Sequence, residues 1–388
     1  MRDVVIAGVG MHPFGKFLDK SLEDLARVAV WNAVGDSGVP PKEIQAAYVA
    51  NSLGGLVTGQ EGVRGQVILR DAGFSGIPII NVENACASGT TALRCGWMEV
   101  ALGIHDAVLV LGVEKLFLPR TADSIRILMA DAEVRLMDMG FQFIGWYAME
   151  LRKYMASYGW NKEHFARVVE KNSFNGSLNP NAQHRKPLSV EQVLNSRLVA
   201  DPLTLYMCAP MSDGAAAAVL CSRERAGRYT ARPLVEIAAI GLQSGRYADA
   251  RGAARPSITT LAAKEAYERA GLGPEDVDVA EVHDAVAPSE LYHYEDLGFC
   301  GKGEGAALIE AGRTKITGDL PVNTSGGLAA RGHPVAATGL AQVAEIVWQL
   351  RGEAGPRQVA DPKVGLVENT GGIVEDEAAV ATVTLLKR

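Results

Sequence analysis

Apolar positions along this chain fall into two spacings. Strand-length apolar runs occur at Val4-Val5-Ile6-Ala7-Gly8-Val9-Gly10, Ala47-Tyr48-Val49-Ala50, Ala107-Val108-Leu109-Val110-Leu111-Gly112, Val279-Ala280-Glu281-Val282 and Lys363-Val364-Gly365-Leu366-Val367. Longer stretches of helical period separate them. The alternation predicts an α/β protein built in layers on mixed sheets. Gly8-Val9-Gly10 reads as the turn that closes the first strand.

The punctuation repeats. From Ala29 to Ala50 the chain reads helix, Gly turn (Ser37-Gly38-Val39-Pro40), acidic stretch and strand, and from Ala262 to Val282 it does so again through Ala270-Gly271-Leu272-Gly273-Pro274-Glu275-Asp276. A second echo pairs Ala85-Cys86-Ala87-Ser88-Gly89 with Val335-Ala336-Ala337-Thr338-Gly339, each opening an apolar helix that reaches about Leu102 or Leu350. Two similar α/β halves are therefore expected, 1–230 and 231–388. An insertion from about Glu114 to Pro210 breaks the repeat, carrying Trp146, Tyr147, Tyr154, Tyr158 and Trp160 and the basic stretch His184-Arg185-Lys186. Ser212-Asp213-Gly214 reads as a tight turn that returns the chain to a small-residue strand.

The length of 388 residues accommodates two domain-sized units and a large core. A formal charge of −7 with no Lys/Arg-rich run argues against a nucleic-acid binder while leaving room for a local basic patch. The cysteines at 86, 95, 208, 221 and 300 show neither disulfide nor CxxC spacing, so a reducing compartment and no metal site are expected. Met1 leads straight into a strand, and no apolar run reaches membrane-spanning length. A cytoplasmic protein without a signal peptide is the expectation.

Cys86 stands where a small-residue helix should begin. Unpaired N–H groups and the dipole of a helix start favour a thiolate, which predicts a lowered pKa and a nucleophile. A buried structural cysteine is the alternative. His333, in Gly332-His333-Pro334, sits at a loop-to-helix junction, since Pro suits a first helical turn. His283-Asp284 ends a strand, at the carboxyl edge where open α/β folds place their ligands. Either histidine taken alone reads first as a satisfied structural residue, and it is their placement at matching element edges that favours function.

The motifs Asn84-Ala85-Cys86-Ala87-Ser88-Gly89, His283-Asp284, Gly326-Gly327-Leu328…Gly332-His333-Pro334 and Asn369-Thr370-Gly371-Gly372 occur in the order expected of the thiolase superfamily. The chain most resembles its sterol-carrier-protein-type branch, over nearly the whole length. That resemblance implies a thiolase fold of five layers, α-β-α-β-α, with a substrate-facing loop domain, usually dimeric and acting on acyl-CoA thioesters with coenzyme A as co-substrate. It makes Cys86 the acyl-accepting nucleophile and His333 its base and an oxyanion donor. His283 polarises the thioester carbonyl, directly or through a water, and Gly371 with the Cys86 N–H forms a second oxyanion hole. CoA would lie against Ser325, Gly326 and Gly327, with Arg185, Lys186 and Arg251 as candidates for its phosphates.

One departure stands out. Many thiolases carry a second catalytic Cys at the position of Asn369 or, in the sterol-carrier-like branch, of Ala285, and neither residue titrates. The second proton must then move through His283, His333, another residue such as Glu368, or water; Cys208 and Cys300 read as buried or surface thiols. The resemblance implies thiolysis of a 3-oxoacyl-CoA or the reverse Claisen condensation. A decarboxylating ketoacyl synthase, a retro-aldolase and a non-catalytic acyl-CoA-binding scaffold are the other readings. Aromatic and Met residues of the insertion, such as Met137, Met139, Phe141 and Phe143, are expected mainly to pack its own core, with a roomy pocket for a bulky or aromatic acyl group as the alternative. A homodimer is expected, and a heteromer with a small OB-fold, zinc-containing acyl-CoA-binding subunit is a further reading.

Overall fold

The computed structural model describes residues 2–246 and 255–388. Arg251, one of the phosphate candidates, lies outside the described residues. The strands are β1 (Val4–Gly15), β2 (Ala46–Ala50), β3 (Ile79–Val82), β4 (Ala107–Glu114), β5 (Leu198–Ala200), β6 (Leu203–Thr204), β7 (Asp213–Ser222), β8 (Val235–Ser244), β9 (Val279–Glu281), β10 (Val364–Val374) and β11 (Glu377–Lys387). Nine of them form one mixed sheet in the order β3-β2-β4-β7-β1-β8-β11-β10-β9. A short antiparallel ladder, Val5 opposite Glu236 and Ile6 opposite Val235, joins the strands of the first half to those of the second.

Two helices fill the space between these half-sheets, Ser88–Ala101 and Thr338–Arg351. The second is buried at every residue but Trp348, which its nearly all-round apolar sequence requires. Its charged and amide side chains are paired inside: Arg351 with Asp36, and Glu345 with Gln349 and Arg357. One core joins Leu340 and Ile346 to Val108 and Val110 on one side and Val367 and Leu386 on the other. Each such buried aliphatic side chain contributes about 1.5–3 kcal/mol. Outer helices complete the layers, Leu22–Ser37 and Arg64–Asp71 against the first half-sheet, Ile258–Ala270 and Ser289–Asp296 against the second.

Glycines set the closest approaches. A Cβ on Gly89 would lie 2.7 Å from the Ala336 carbonyl oxygen, and one on Gly112 would lie 2.5 Å from the same atom. The turns that start the two central helices are thereby pressed together, which brings the neighbourhoods of Cys86 and His333 to one point. Gly8 and Gly10 are not a turn: β1 runs on to Gly15, and Cβ atoms there would fall 2.4 Å and 2.3 Å from the backbone of Ala33. They let the Leu22–Ser37 helix lie against the strand. Gly214 likewise belongs to β7, where Phe14 fills the space a side chain would take.

The segment between β4 and β7 contains the helices Phe143–Tyr158 and Lys162–Ser177 and the small β5–β6 hairpin. Its Leu151, Trp160 and Phe165 share a core with Leu291 and Tyr294 of the second half. This contact leans the segment over the carboxyl ends of the sheet, leaving a cavity beneath it. Among the described residues no helix is long and apolar enough to cross a membrane.

Candidate active site

Cys86 lies in the tight turn Ala85–Ala87, one step before the helix Ser88–Ala101 rather than within it. Ser88 closes the turn: its hydroxyl donates to the Ala85 carbonyl at 2.6 Å and accepts from the Asn84 N–H at 2.8 Å. The turn rests on β10, where Gly371 has no side chain to intervene. A Cβ there would stand 2.6 Å from the Asn84 carbonyl oxygen and 2.9 Å from the Cys86 nitrogen.

Residues far apart in sequence meet at the sulfur. The Cys86 Sγ and one ring nitrogen each of His283 and His333 all lie within 4.8 Å of one another, and the two imidazoles are edge-to-face at 5.1 Å. Cys86, His283 and His333 are also the one grouping of metal-type side chains among the described residues, a cluster that their sequence spacing did not show. His283 follows β9, and its backbone N–H donates to Glu368 Oε2 at 2.8 Å. The N–H of His333 donates to Ser212 Oγ at 3.0 Å.

Hydrogen bonding behind each ring decides its tautomer. The Thr338 hydroxyl donates to the Pro334 carbonyl at 3.2 Å, so at 2.7 Å it accepts from His333 Nδ1–H and leaves the Nε2 lone pair for the thiol. The amide of Gln342 donates to the Glu368 carbonyl at 3.0 Å, which makes its Oε1 an acceptor for Asn369 Nδ2 at 3.0 Å. Asn369 Nδ2 then gives its other hydrogen to His283 Nδ1 at 2.9 Å. His283 therefore carries its proton on Nε2, as a donor. One ring presents a lone pair to the site and the other an N–H.

The expected low thiol pKa is not present. Burial pushes the Cys86 thiol well up, Asp131 adds to this once it is ionised, and the Gly372 N–H and Cys86's own N–H pull the other way. Burial, with help from Arg331, holds His333 down to about 3. His283 is held well below its usual value by burial and by His333, His293 and Arg331. The resting site thus contains a neutral thiol between two neutral imidazoles. A thiol resting neutral in this way would have to give up its proton as it attacks rather than beforehand.

These groups open into a cavity of about 1570 Å³. The aromatic residues of the inserted segment divide between two roles. Trp160 and Phe165 pack its core as expected, whereas Phe143, Trp146, Tyr147 and Tyr154 line the cavity. The Tyr147 phenol, on the same cavity wall as Cys86, is raised by burial and then by the Cys86 charge once ionised. Elsewhere on the wall stand Lys16, Arg185, Lys186 and Arg197, with Arg185 and Lys186 exposed at the surface.

Ser325, Gly326 and Gly327 are not on this wall. Ser325 is buried, its hydroxyl donating to Glu281 Oε2 at 2.6 Å, and Gly327 leaves room for the Asp284 carboxylate, whose Oδ1 accepts from Leu328 N–H at 2.7 Å. Ala329 and Ala330 reach the cavity instead. Of the familiar second-cysteine positions, Ala285 lines the cavity and Asn369 is buried behind His283. Cys208 is on the wall, yet its thiol donates to the Thr204 carbonyl at 3.5 Å and burial pushes it up to about 12. Cys300 is away from the wall. Thr338 and Gln342 were not assigned to the site from the sequence, where only their places at a helix start and one turn into that helix offered a signal; Asn369 was marked there only as the seat of an absent cysteine, and its hold on His283 Nδ1 is seen only in the structure.

Family models for the thiolase N-terminal domain and the thiolase C-terminal domain-like region match residues 4–224 and 246–384. The chain belongs to the thiolase family. This thiolase is 45% identical to an acetyl-CoA acetyltransferase of Methanothermobacter thermautotrophicus, covering 96% of this chain and 97% of that one. It is 37% identical to the benzoylsuccinyl-CoA thiolase subunit BbsB of Thauera aromatica (96% and 95% covered) and 37% identical to sterol carrier protein 2 of Homo sapiens (96% and 70%). Among solved structures, an Ltp2-ChsH2(DUF35) aldolase superposes with a TM-score of 0.80 at 26% identity, over 98% of this chain and 97% of that one. The chain is a thiolase-type acyltransferase acting on CoA thioesters.

Proposed function

We propose that this thiolase cleaves a 3-oxoacyl-CoA with free CoA through an acyl-enzyme on Cys86, or runs the same steps backwards as a Claisen condensation. The observation that carries the reading is the meeting of Cys86 Sγ with a ring nitrogen of His333 and of His283 within 4.8 Å on a cavity wall. The sulfur attacks the 3-keto carbon as its proton passes to His333 Nε2. Cys86 N–H, beside Gly371, faces the oxyanion that forms. When the bond to the α-carbon breaks, His283 Nε2–H supports the thioester enolate. CoA thiol then releases the acyl group. The acyl chain we assign is bulky or aromatic, because Phe143, Trp146, Tyr147 and Tyr154 stand on the wall and a relative is named a benzoylsuccinyl-CoA thiolase. Arg185 and Lys186 are the residues we assign to the CoA phosphates.

For assembly we propose a homodimer that also takes up a small OB-fold, zinc-containing acyl-CoA-binding subunit; the DUF35 component of the Ltp2-ChsH2 neighbour supports such a partner. That neighbour is an aldolase, so the test must separate the two chemistries. Benzoylacetyl-CoA and acetoacetyl-CoA are offered with and without CoA. CoA-dependent formation of acetyl-CoA and an acyl-CoA, absent in Cys86→Ala, is the thiolase result. A 3-hydroxyacyl-CoA offered alongside is the retro-aldol substrate; its CoA-independent cleavage to acetyl-CoA and a free aldehyde or ketone, surviving Cys86→Ala and with no thiolysis of the 3-oxo substrates, would replace the thiolase reading with an aldolase.

A further inference from the structure

Thiolysis moves two protons, and the groups described above account for one. His333 takes the thiol proton and holds it until the Cys86 thiolate returns. The enolate carbon still needs a proton, and the entering CoA thiol must lose one. On the thiolytic reading above, we propose that Asp131 is the second acid–base group of this site, standing in for the absent second cysteine.

Asp131 ends the tight turn Met129–Asp131 and lines the catalytic cavity. Its Oδ1 accepts from Ser52 Oγ at 2.8 Å, while Oδ2 is buried with no hydrogen-bond partner. The backbone carries it to the sulfur by one intermediate. Ala132 bridges Ile373 in parallel, Glu133 N–H donates to the Ile373 carbonyl at 3.1 Å, and the Asp131 carbonyl oxygen lies 2.9 Å from where a Cβ on Gly372 would be. Gly372 is the residue whose N–H points at Cys86 Sγ, and after burial an ionised Asp131 is the largest influence on that thiol.

His293 also lines the cavity with an unpartnered Nδ1, but burial holds it down to about 3, so at neutral pH it carries no imidazolium proton to give. The buried carboxylates near the thiol are already committed. Glu114 accepts from Asn51, Ser52 and Leu53, and Glu368 accepts the His283 N–H; neither reaches the cavity wall. Tyr147 is kept protonated by burial, so it can donate a hydrogen bond but not accept a proton. Burial, followed by the charges of Glu114 and Glu83, pushes the Asp131 carboxyl up to about 8, against the opposing Ser52 hydrogen bond. A carboxylic acid is therefore present at neutral pH. With Ser52 on Oδ1, its proton belongs on the unpartnered Oδ2.

The steps balance. After carbon–carbon cleavage, the Oδ2–H bond breaks and a C–H bond forms at the α-carbon, releasing acetyl-CoA and leaving Asp131 as carboxylate. The entering CoA gives its S–H proton to that carboxylate as its sulfur attacks the acyl-Cys86 carbonyl. Collapse expels the Cys86 thiolate, which recovers its proton from His333.

The test uses acetyl-CoA in D2O, where the reverse step exchanges methyl protons for deuterium. Asp131→Asn should slow this exchange by about 10²–10⁴-fold, the range for loss of a positioned acid–base group, while iodoacetamide still alkylates Cys86. Asp131→Glu should restore part of the rate. Ser52→Ala, which removes the donor that favours the charged form, should move the alkaline limb of kcat/KM to higher pH. Exchange by Asp131→Asn at the wild-type rate, or an alkaline limb unmoved in Ser52→Ala, would overturn the assignment. Wild-type protein that forms no Cys86 acyl adduct would instead overturn the thiolytic reading on which it rests.

Discussion

Asn369 Nδ2 lies 2.9 Å from His283 Nδ1 and holds that imidazole in its Nε2–H form. The amide occupies a position where many thiolases carry a thiol, and it does different work: it turns His283 into a fixed donor rather than moving a proton itself. Asn369→Asp should reverse the polarity, because a carboxylate there prefers Nδ1–H and leaves Nε2 without its hydrogen. Loss of one preorganised donor predicts a fall in kcat of about 10²–10³-fold with KM little changed. Steady-state kinetics measures the split, and nitrogen NMR of the histidines reports the tautomer.

His333 depends on Thr338 in the same way. Thr338→Val keeps the volume but removes the acceptor for Nδ1–H, freeing the ring to take the other tautomer. The rate of Cys86 acylation should drop by about 10-fold or more, in line with loss of a ligand-orienting partner. Rapid-quench mass measurement of the acyl adduct checks it; Thr338→Ser should retain the rate.

Gly371→Ala tests the packing of the nucleophile turn against β10. The added methyl would meet the Asn84 carbonyl oxygen at 2.6 Å and the Cys86 nitrogen at 2.9 Å, so the turn must shift. A stability cost of about 1–3 kcal/mol and loss of nearly all activity are expected together. Denaturant melts and thiolysis assays on the same sample separate this from general unfolding.

Stability should fall as pH rises from about 6.5 to 8.5. Burial holds Asp131 and Glu368 up to about 8 and Glu114 up to about 7 in the folded state. A carboxyl whose folded pKa is raised contributes its stability fully below the unfolded value and loses it as pH climbs through the folded one. His333, held down to about 3, is neutral in both states above pH 6.5 and adds nothing in that window. Asp131→Asn should therefore flatten the decline in Tm, and should be more stable than wild type at pH 8.5 relative to their difference at pH 6.

Much of this was readable from order and edges. Cys86, His283 and His333 each stand at the end of an element, and the repeated punctuation places those ends together. What escaped reading depends on partners remote in sequence. The thiol is pushed up rather than down because its turn is buried, and Asp131, 45 residues later in the chain, adds to this once ionised. The Gly-rich run Ser325-Gly326-Gly327 looked like a ligand loop, but its glycine and serine accommodate the buried carboxylates of Asp284 and Glu281. In the helix Phe143–Tyr158 the same period that buries Ala148 and Leu151 sends Trp146, Tyr147 and Tyr154 to the cavity, because helical spacing marks an apolar face without saying whether protein or ligand covers it.

The most direct test is the intact mass of the protein after incubation with benzoylacetyl-CoA in the absence of CoA. An acyl adduct should form on the peptide containing Cys86, be discharged on adding CoA, be absent in Cys86→Ala and be strongly slowed in His333→Ala. Full turnover with an unmodified Cys86, or an adduct that free CoA does not remove, would contradict covalent catalysis by this thiol.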